Sequence, residues 1–132
     1  MIGTGRMAVA LMAAVLTVPV ARPVAASDMI DRGGAVLQGL DKITARVSAI
    51  EIDVGETAQF GSLLITLRAC REAPPIDPPE AAACLEITAV KPDEQPGAVF
   101  SGWMFASSPA LSALEHPIYD VWVTGCRDAG KK

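Results

Sequence analysis

The stretch Leu63-Leu64-Ile65-Thr66-Leu67-Arg68-Ala69-Cys70 decides the fold. It is rich in branched aliphatic side chains and bounded by turn-forming residues, which favours a pleated strand. With a side-chain period of two, Leu63, Ile65, Leu67 and Ala69 share one face. Leu64, Thr66, Arg68 and Cys70 share the other.

Toward the N-terminus, Gly61-Ser62 reads as a kink or bulge. Residues 57–60 read as the return strand of a hairpin whose tight turn is Gly55-Glu56, with 46–54 as its partner. Residues 27–40 are mixed in composition and contain the adjacent Gly33 and Gly34, so they are expected to be loosely held, with one helical turn at most. Toward the C-terminus, Pro74-Pro75 and Pro78-Pro79 require an extended surface connection. Residues 83–90 form the next strand, with Leu85 and Ile87 inward and Cys84, Glu86 and Thr88 outward. After a polar loop, residues 99–106 make a strand apolar on both faces, with Val99, Trp103 and Phe105 on one side and Phe100, Met104 and Ala106 on the other. Ser107-Ser108-Pro109 is a helix-start signal, expected to open a short helix through Leu114 that ends at His116-Pro117. Residues 118–126 are the last strand.

Five to six short strands and one short helix, with no β–α alternation, define a mainly β fold, a small antiparallel sandwich or barrel. The domain is expected over 43–126, after a flexible lead segment over 27–42 and before a disordered tail over 127–132.

Ahead of it lies an address. Arg6 precedes an uncharged apolar run of about 14 residues, short of the ~20 needed to span a bilayer. Val24-Ala25-Ala26 supplies small residues at both recognition positions, so residues 1–26 read as a signal peptide cut after Ala26. No cysteine lies near the cut for lipid attachment, and no twin arginine precedes the run. The chain of 132 residues carries 11 basic and 15 acidic residues. Arg6 and Arg22 leave with the leader, so the mature chain is more acidic still, about −6. Such a surface repels phosphate backbones and anionic headgroups, which argues against nucleic acid and membrane-surface partners. The expected location is the periplasm, with no membrane insertion after cleavage.

Cys70, Cys84 and Cys126 are the cysteines. In an exported chain an odd count suggests one bridge and one leftover thiol. Strand parity places Cys70 opposite Ile65 and Leu67, and Cys126 with Trp122 unless Gly125 breaks the alternation. Two cysteines on like faces of neighbouring strands can pair. Cys70 with Cys84 would instead close the proline loop. Loop entropy separates the two by only about 1 kcal/mol, so spacing leaves both open.

No catalytic, cofactor or metal motif stands out. His116, the single histidine, lies beside Glu115 and near Asp120, with Ser107 and Ser108 upstream. A serine hydrolase would need these within hydrogen-bond reach of one another. The serines are better explained as a helix cap and His116 as a helix-end residue. Trp103, Phe105, Tyr119 and Trp122 are core candidates first. Yet a strand apolar on both faces needs a cover on its second face, from the short helix or from a partner. Trp103, Phe105, His116, Tyr119 and Trp122 therefore form the candidate interaction surface.

The segments Phe60-Gly61-Ser62-Leu63, Leu67-Arg68-Ala69-Cys70, Pro78-Pro79-Glu80-Ala81-Ala82, Phe100-Ser101-Gly102-Trp103-Met104-Phe105-Ala106-Ser107-Ser108-Pro109-Ala110-Leu111, Glu115-His116-Pro117 and Tyr119-Asp120-Val121-Trp122 resemble a family of exported alphaproteobacterial proteins, domain of unknown function 2155. The resemblance runs from about Thr44 to Cys126. It implies no activity. It implies a Cys70–Cys126 bridge. At the position of Cys84 the family usually has a bulky apolar residue, a departure that favours a free thiol here. The expected function is that of a non-enzymatic interaction or accessory protein docking an inner-membrane assembly, a respiratory complex being one example. A cell-wall glycan or peptide module using Trp103 or Trp122 as a stacking platform is the second expectation, and a small serine hydrolase the third.

Overall fold

The computed structural model describes residues 3–5, 10, 13–20 and 28–130. The expected cleavage site at 24–26 and the last two residues of the expected tail lie outside them. Residues 13–20 are neither helix nor strand, and Val15, Leu16, Val18 and Val20 are exposed. Among the described residues, no helix is long and apolar enough to cross a membrane.

The described chain forms two antiparallel sheets and one turn of helix. The strands are β1 (Ile30–Arg32), β2 (Gly34–Asp41), β3 (Arg46–Asp53), β4 (Thr57–Phe60), β5 (Leu63–Glu72), β6 (Ala81–Ala89), β7 (Gly97–Phe105), β8 (Leu114–Glu115) and β9 (Tyr119–Arg127), with α1 (Pro109–Ser112) between β7 and β8. One sheet runs β1-β5-β6-β7, with β4 also on β5; the other runs β3-β2-β9-β8. The barrel alternative does not form. β2 and β9 pack against the first sheet, the face-to-face arrangement of a sandwich.

The inward faces follow from the alternation. Leu63, Ile65, Leu67, Leu85 and Ile87 are fully buried from the first sheet, facing Ala35, Leu37, Ile52, Val121 and Val123 of the second. Each such aliphatic side chain contributes roughly 1.5–3 kcal/mol by leaving water.

The lead segment is a correction. Residues 34–41 form the strand between β3 and β9, and Ala35 and Leu37 are wholly buried. The glycines that suggested looseness are packing positions. A Cβ at Gly33 would meet Ala129 at 2.8 Å, and one at Gly34 the Ile52 carbonyl at 2.9 Å. At the other end, Arg127 pairs with Asp53 at 2.7 Å and the Gly130 amide donates to the same carboxylate at 2.9 Å. Residues 127–130 are thus tied to β3 where a free tail was expected.

Two turns exchange roles. Gly55, at φ +89°, sits in a turn closed by Glu56 N–H to Asp53 C=O at 3.0 Å. The strands it joins lie in different sheets, because β3 pairs with β2 and β4 with β5. Gly61-Ser62 is the true hairpin connection, between Phe60 and Leu63, with Gly61 at φ +58°. A positive φ at the first turn position is what a two-residue hairpin of this kind needs, and glycine supplies it freely.

Bulges reset the parity on which the cysteine argument rested. The β5–β6 register shifts between Leu67 and Ala69, leaving Arg68 as the extra residue. Cys70 consequently turns inward and is 1% exposed. Opposite Val36 and Leu37, β9 carries an extra residue at Thr124, so Cys126 turns inward as well. Cys70 and Cys126 bridge the two sheets, with Cα atoms 5.8 Å apart. They share an environment as expected, but it is the interior and not the outer face.

Helix α1 is shorter than expected. It ends at Ser112, and Leu114 belongs to β8, buried against the core. Ser108 occupies the N-cap position without a side-chain cap bond.

Candidate functional site

Strand β7 is the outer strand of its sheet and divides its side chains as the alternation requires. Met104 is buried and Phe100 packs against the core, while Trp103 and Phe105 point outward, 37% and 40% exposed. Val99, the extra residue where the β6–β7 register shifts, is 39% exposed. Both rings remain partly exposed beside α1. Cys84, a free thiol, pairs in register with Trp103. The Arg71 guanidinium lies 5.4 Å from the Trp103 ring centroid, a cation–π distance, and its Nε is 2.9 Å from Asp31. Bulged Arg68 reaches Glu86 at 2.7 Å. The hydrogen bond and charge of Glu86 raise the Arg68 pKa above its already high value.

The other three candidates lie elsewhere. Trp122 is partly buried, pairs in register with Gln38 and points off the second sheet, away from β7. Tyr119 begins β9, at the end opposite Cys126. Its ring meets Phe60 edge-on at 5.3 Å and stacks on His116 at 5.6 Å. A Cβ at Gly61 would collide with the Tyr119 hydroxyl. Lys42 pins the same turn, donating to the His116 carbonyl and pairing with Asp120, both at 2.8 Å. Tyr119 and His116 therefore close one end of the sandwich. The five residues expected to make one surface occupy three places: Trp103 with Phe105, His116 with Tyr119, and Trp122 by itself.

The serines and the histidine are engaged separately. The Ser107 hydroxyl donates to Glu80, and the Glu80 Oε1 also accepts from the amides of Ala81 at 3.0 Å and Ser107 at 3.1 Å. His116 Nδ1 accepts from the Ile118 amide at 3.1 Å. Burial works to raise the Glu80 pKa, but the hydrogen bonds from Ser107, Ala81 and Ala106 outweigh it, and the pKa lies below its ordinary value. Among the described residues, no group of three or more His, Cys, Asp or Glu is placed to hold a metal ion.

Sequence reasoning missed a cleft of about 590 Å³ at the disulfide end, whose lining includes Arg32, Glu72, Pro75, Glu80, Ser107 and Gly125. Arg32 is already matched there by Glu72 at 3.5 Å and Asp128 at 3.1 Å. Well-separated segments build this cleft, so no local motif announces it.

These features define a class: a two-sheet antiparallel β domain, cross-linked between its sheets, with an aromatic outer strand. Residues 35–126 match the family described as "Uncharacterized protein conserved in bacteria (DUF2155)", and the chain belongs to it. An uncharacterised protein of Rickettsia prowazekii (strain Madrid E) is 39% identical over 89 residues, covering 66% of this chain and 56% of that protein. The match thus spans little more than half the length of the relative. No solved structure matches.

Proposed function

We propose that this is a periplasmic, non-enzymatic accessory protein that docks a protein partner through β7. The observation carrying this reading is the exposure of Trp103 and Phe105, side by side on the outer strand of a sheet. Large aromatics partly exposed beside a well-packed core are the kind of residue that anchors protein interfaces. Export is supported by the short apolar leader, whose described apolar side chains find no place in the core. The inter-sheet disulfide also belongs to an oxidising compartment. The partner is an inner-membrane assembly, for which a respiratory complex serves as the example. Affinity purification of the tagged mature chain from gently solubilised, crosslinked native membranes tests it. A stoichiometric membrane complex, lost on Trp103→Ala, is the expected result. A partner-free monomer overturns it.

The cleft favours a second reading, a module for cell-wall peptide or glycan. Its volume falls in the range of small-ligand sites. The tryptophans expected as stacking platforms do not line it, so muropeptide binding should shift the NMR signals of Ser107 and Gly125 and leave Trp103 unmoved.

A further inference from the structure

We propose that the open side of β7 takes an extended, uncharged segment of a different protein as an added strand, paired to the backbone of Ser101 and Trp103. This rests on the docking reading above and specifies its mode.

Outer strands invite unwanted pairing, and proteins blunt them by shortness, charge or proline. Here β1 is three residues long, β4 four and β8 two. The eight residues of β3 include Arg46, Glu51 and Asp53. The nine residues of β7 contain no charge and no proline. Of the outer strands, β7 is thus the long one that lacks charge, its only interruption being the Val99 bulge.

The ladder tells which backbone groups point outward. Ala106 N–H donates to the Ala81 carbonyl at 2.8 Å, in register with the β6–β7 pairs. Antiparallel alternation then turns the backbone groups of Met104 and Gly102 toward β6, and those of Ser101 and Trp103 away from it. Beyond them the run closes, because the Phe105 carbonyl accepts from the Ser108 amide at 3.2 Å. Two N–H and two C=O groups, flanked by the Trp103 ring, are what an extended segment satisfies and a compact surface does not.

Charge selects the occupant. The ionised side chains nearest the Trp103 face are matched in pairs, Arg68 with Glu86 and Arg71 with Asp31. Among the described residues, no unmatched charge beside that face favours a charged segment over an uncharged one. A second copy is disfavoured, because chains with 15 acidic and 11 basic residues repel one another. The Val99 bulge also breaks the straight run along which two β7 strands would pair.

The test compares tagged mature chains in the membrane purification. Ser101→Pro removes an outward N–H and leaves the β6 ladder intact, a position where an outer strand tolerates proline. It should keep the thermal midpoint and lower recovery of the partner at least tenfold, whereas Ser101→Ala recovers it fully. Retention by Ser101→Pro with loss by Trp103→Ala refutes strand addition and leaves docking standing. Retention by both, or no partner with the unaltered chain, refutes docking and strand addition together. Amide exchange on the unaltered chain gives a second readout that needs no variant. The Ser101 and Trp103 amides should exchange freely in the isolated chain and slow at least tenfold in the recovered complex, and unchanged rates overturn the proposal.

Discussion

Replacing both bridge cysteines, Cys70→Ala with Cys126→Ala, should remove about 4 kcal/mol of stability. The bridge closes a loop of 56 residues. For a loop of that length, loss of unfolded-state restraint alone amounts to roughly 4 kcal/mol at 25 °C. A domain of this size has a total stability of about 5–15 kcal/mol, so the variant should be marginal. Urea unfolding followed by tryptophan fluorescence measures the difference, with Cys84→Ser introduced throughout to prevent exchange. Cys84 is partly exposed and outside the bridge, so that background change alone should be nearly neutral. A loss under about 1 kcal/mol in the double variant would refute the reasoning, as would an equal loss from Cys84→Ser.

Other consequences follow from the packing and the outward face. Gly61→Ala should destabilise by at least about 1–3 kcal/mol, since alanine at φ +58° is strained and its Cβ collides with Tyr119. Gly97→Ala, with nothing within 4 Å of the added carbon, should stay within about 0.5 kcal/mol; thermal melts compare the two. Folded Glu80 holds its proton more weakly than the unfolded chain does, so its stabilising contribution is full above the ordinary glutamate pKa and lost as pH falls through the lowered folded value. Ser107→Ala should move the Glu80 carboxyl titration upward in NMR and flatten the acid limb of the melting curve. Trp103→Ala should cost about 1–3 kcal/mol, because more than half of the residue is out of water and Arg71 lies over the ring, yet leave the domain folded while abolishing partner recovery.

The alternation that defines a strand was legible wherever it ran unbroken. Leu85 and Ile87 inward with Glu86 outward follow from a period of two, which also sets Met104 and Trp103 on opposite faces without saying which is buried. What escaped were the places where one residue is inserted into the period. Arg68 and Thr124 look like ordinary strand residues, and only pairing with a neighbour makes them extra. Both cysteines lie beyond such an insertion, so two parity errors cancelled and left the pairing argument intact. The glycines of β2 misled for another reason. Gly34 suggests freedom in sequence, yet it is needed because Ile52 presses on the strand from elsewhere in the chain, as Phe60 does at Gly39. Of the candidate surface, a strand apolar on both faces was readable at β7, but which face lies outward was not, and Trp103 was expected in the core first. The structural work of Tyr119 was not readable, since Phe60 and Gly61 reach it only through the fold.

Site-specific photocrosslinking in living cells tests the docking claim most directly. A photoreactive residue at position 103 is compared with one at Val47, which is 57% exposed on the outer strand of the opposite sheet. Docking through β7 predicts one discrete adduct from position 103 and none from position 47. Equal labelling from both positions, or none from 103, would contradict it.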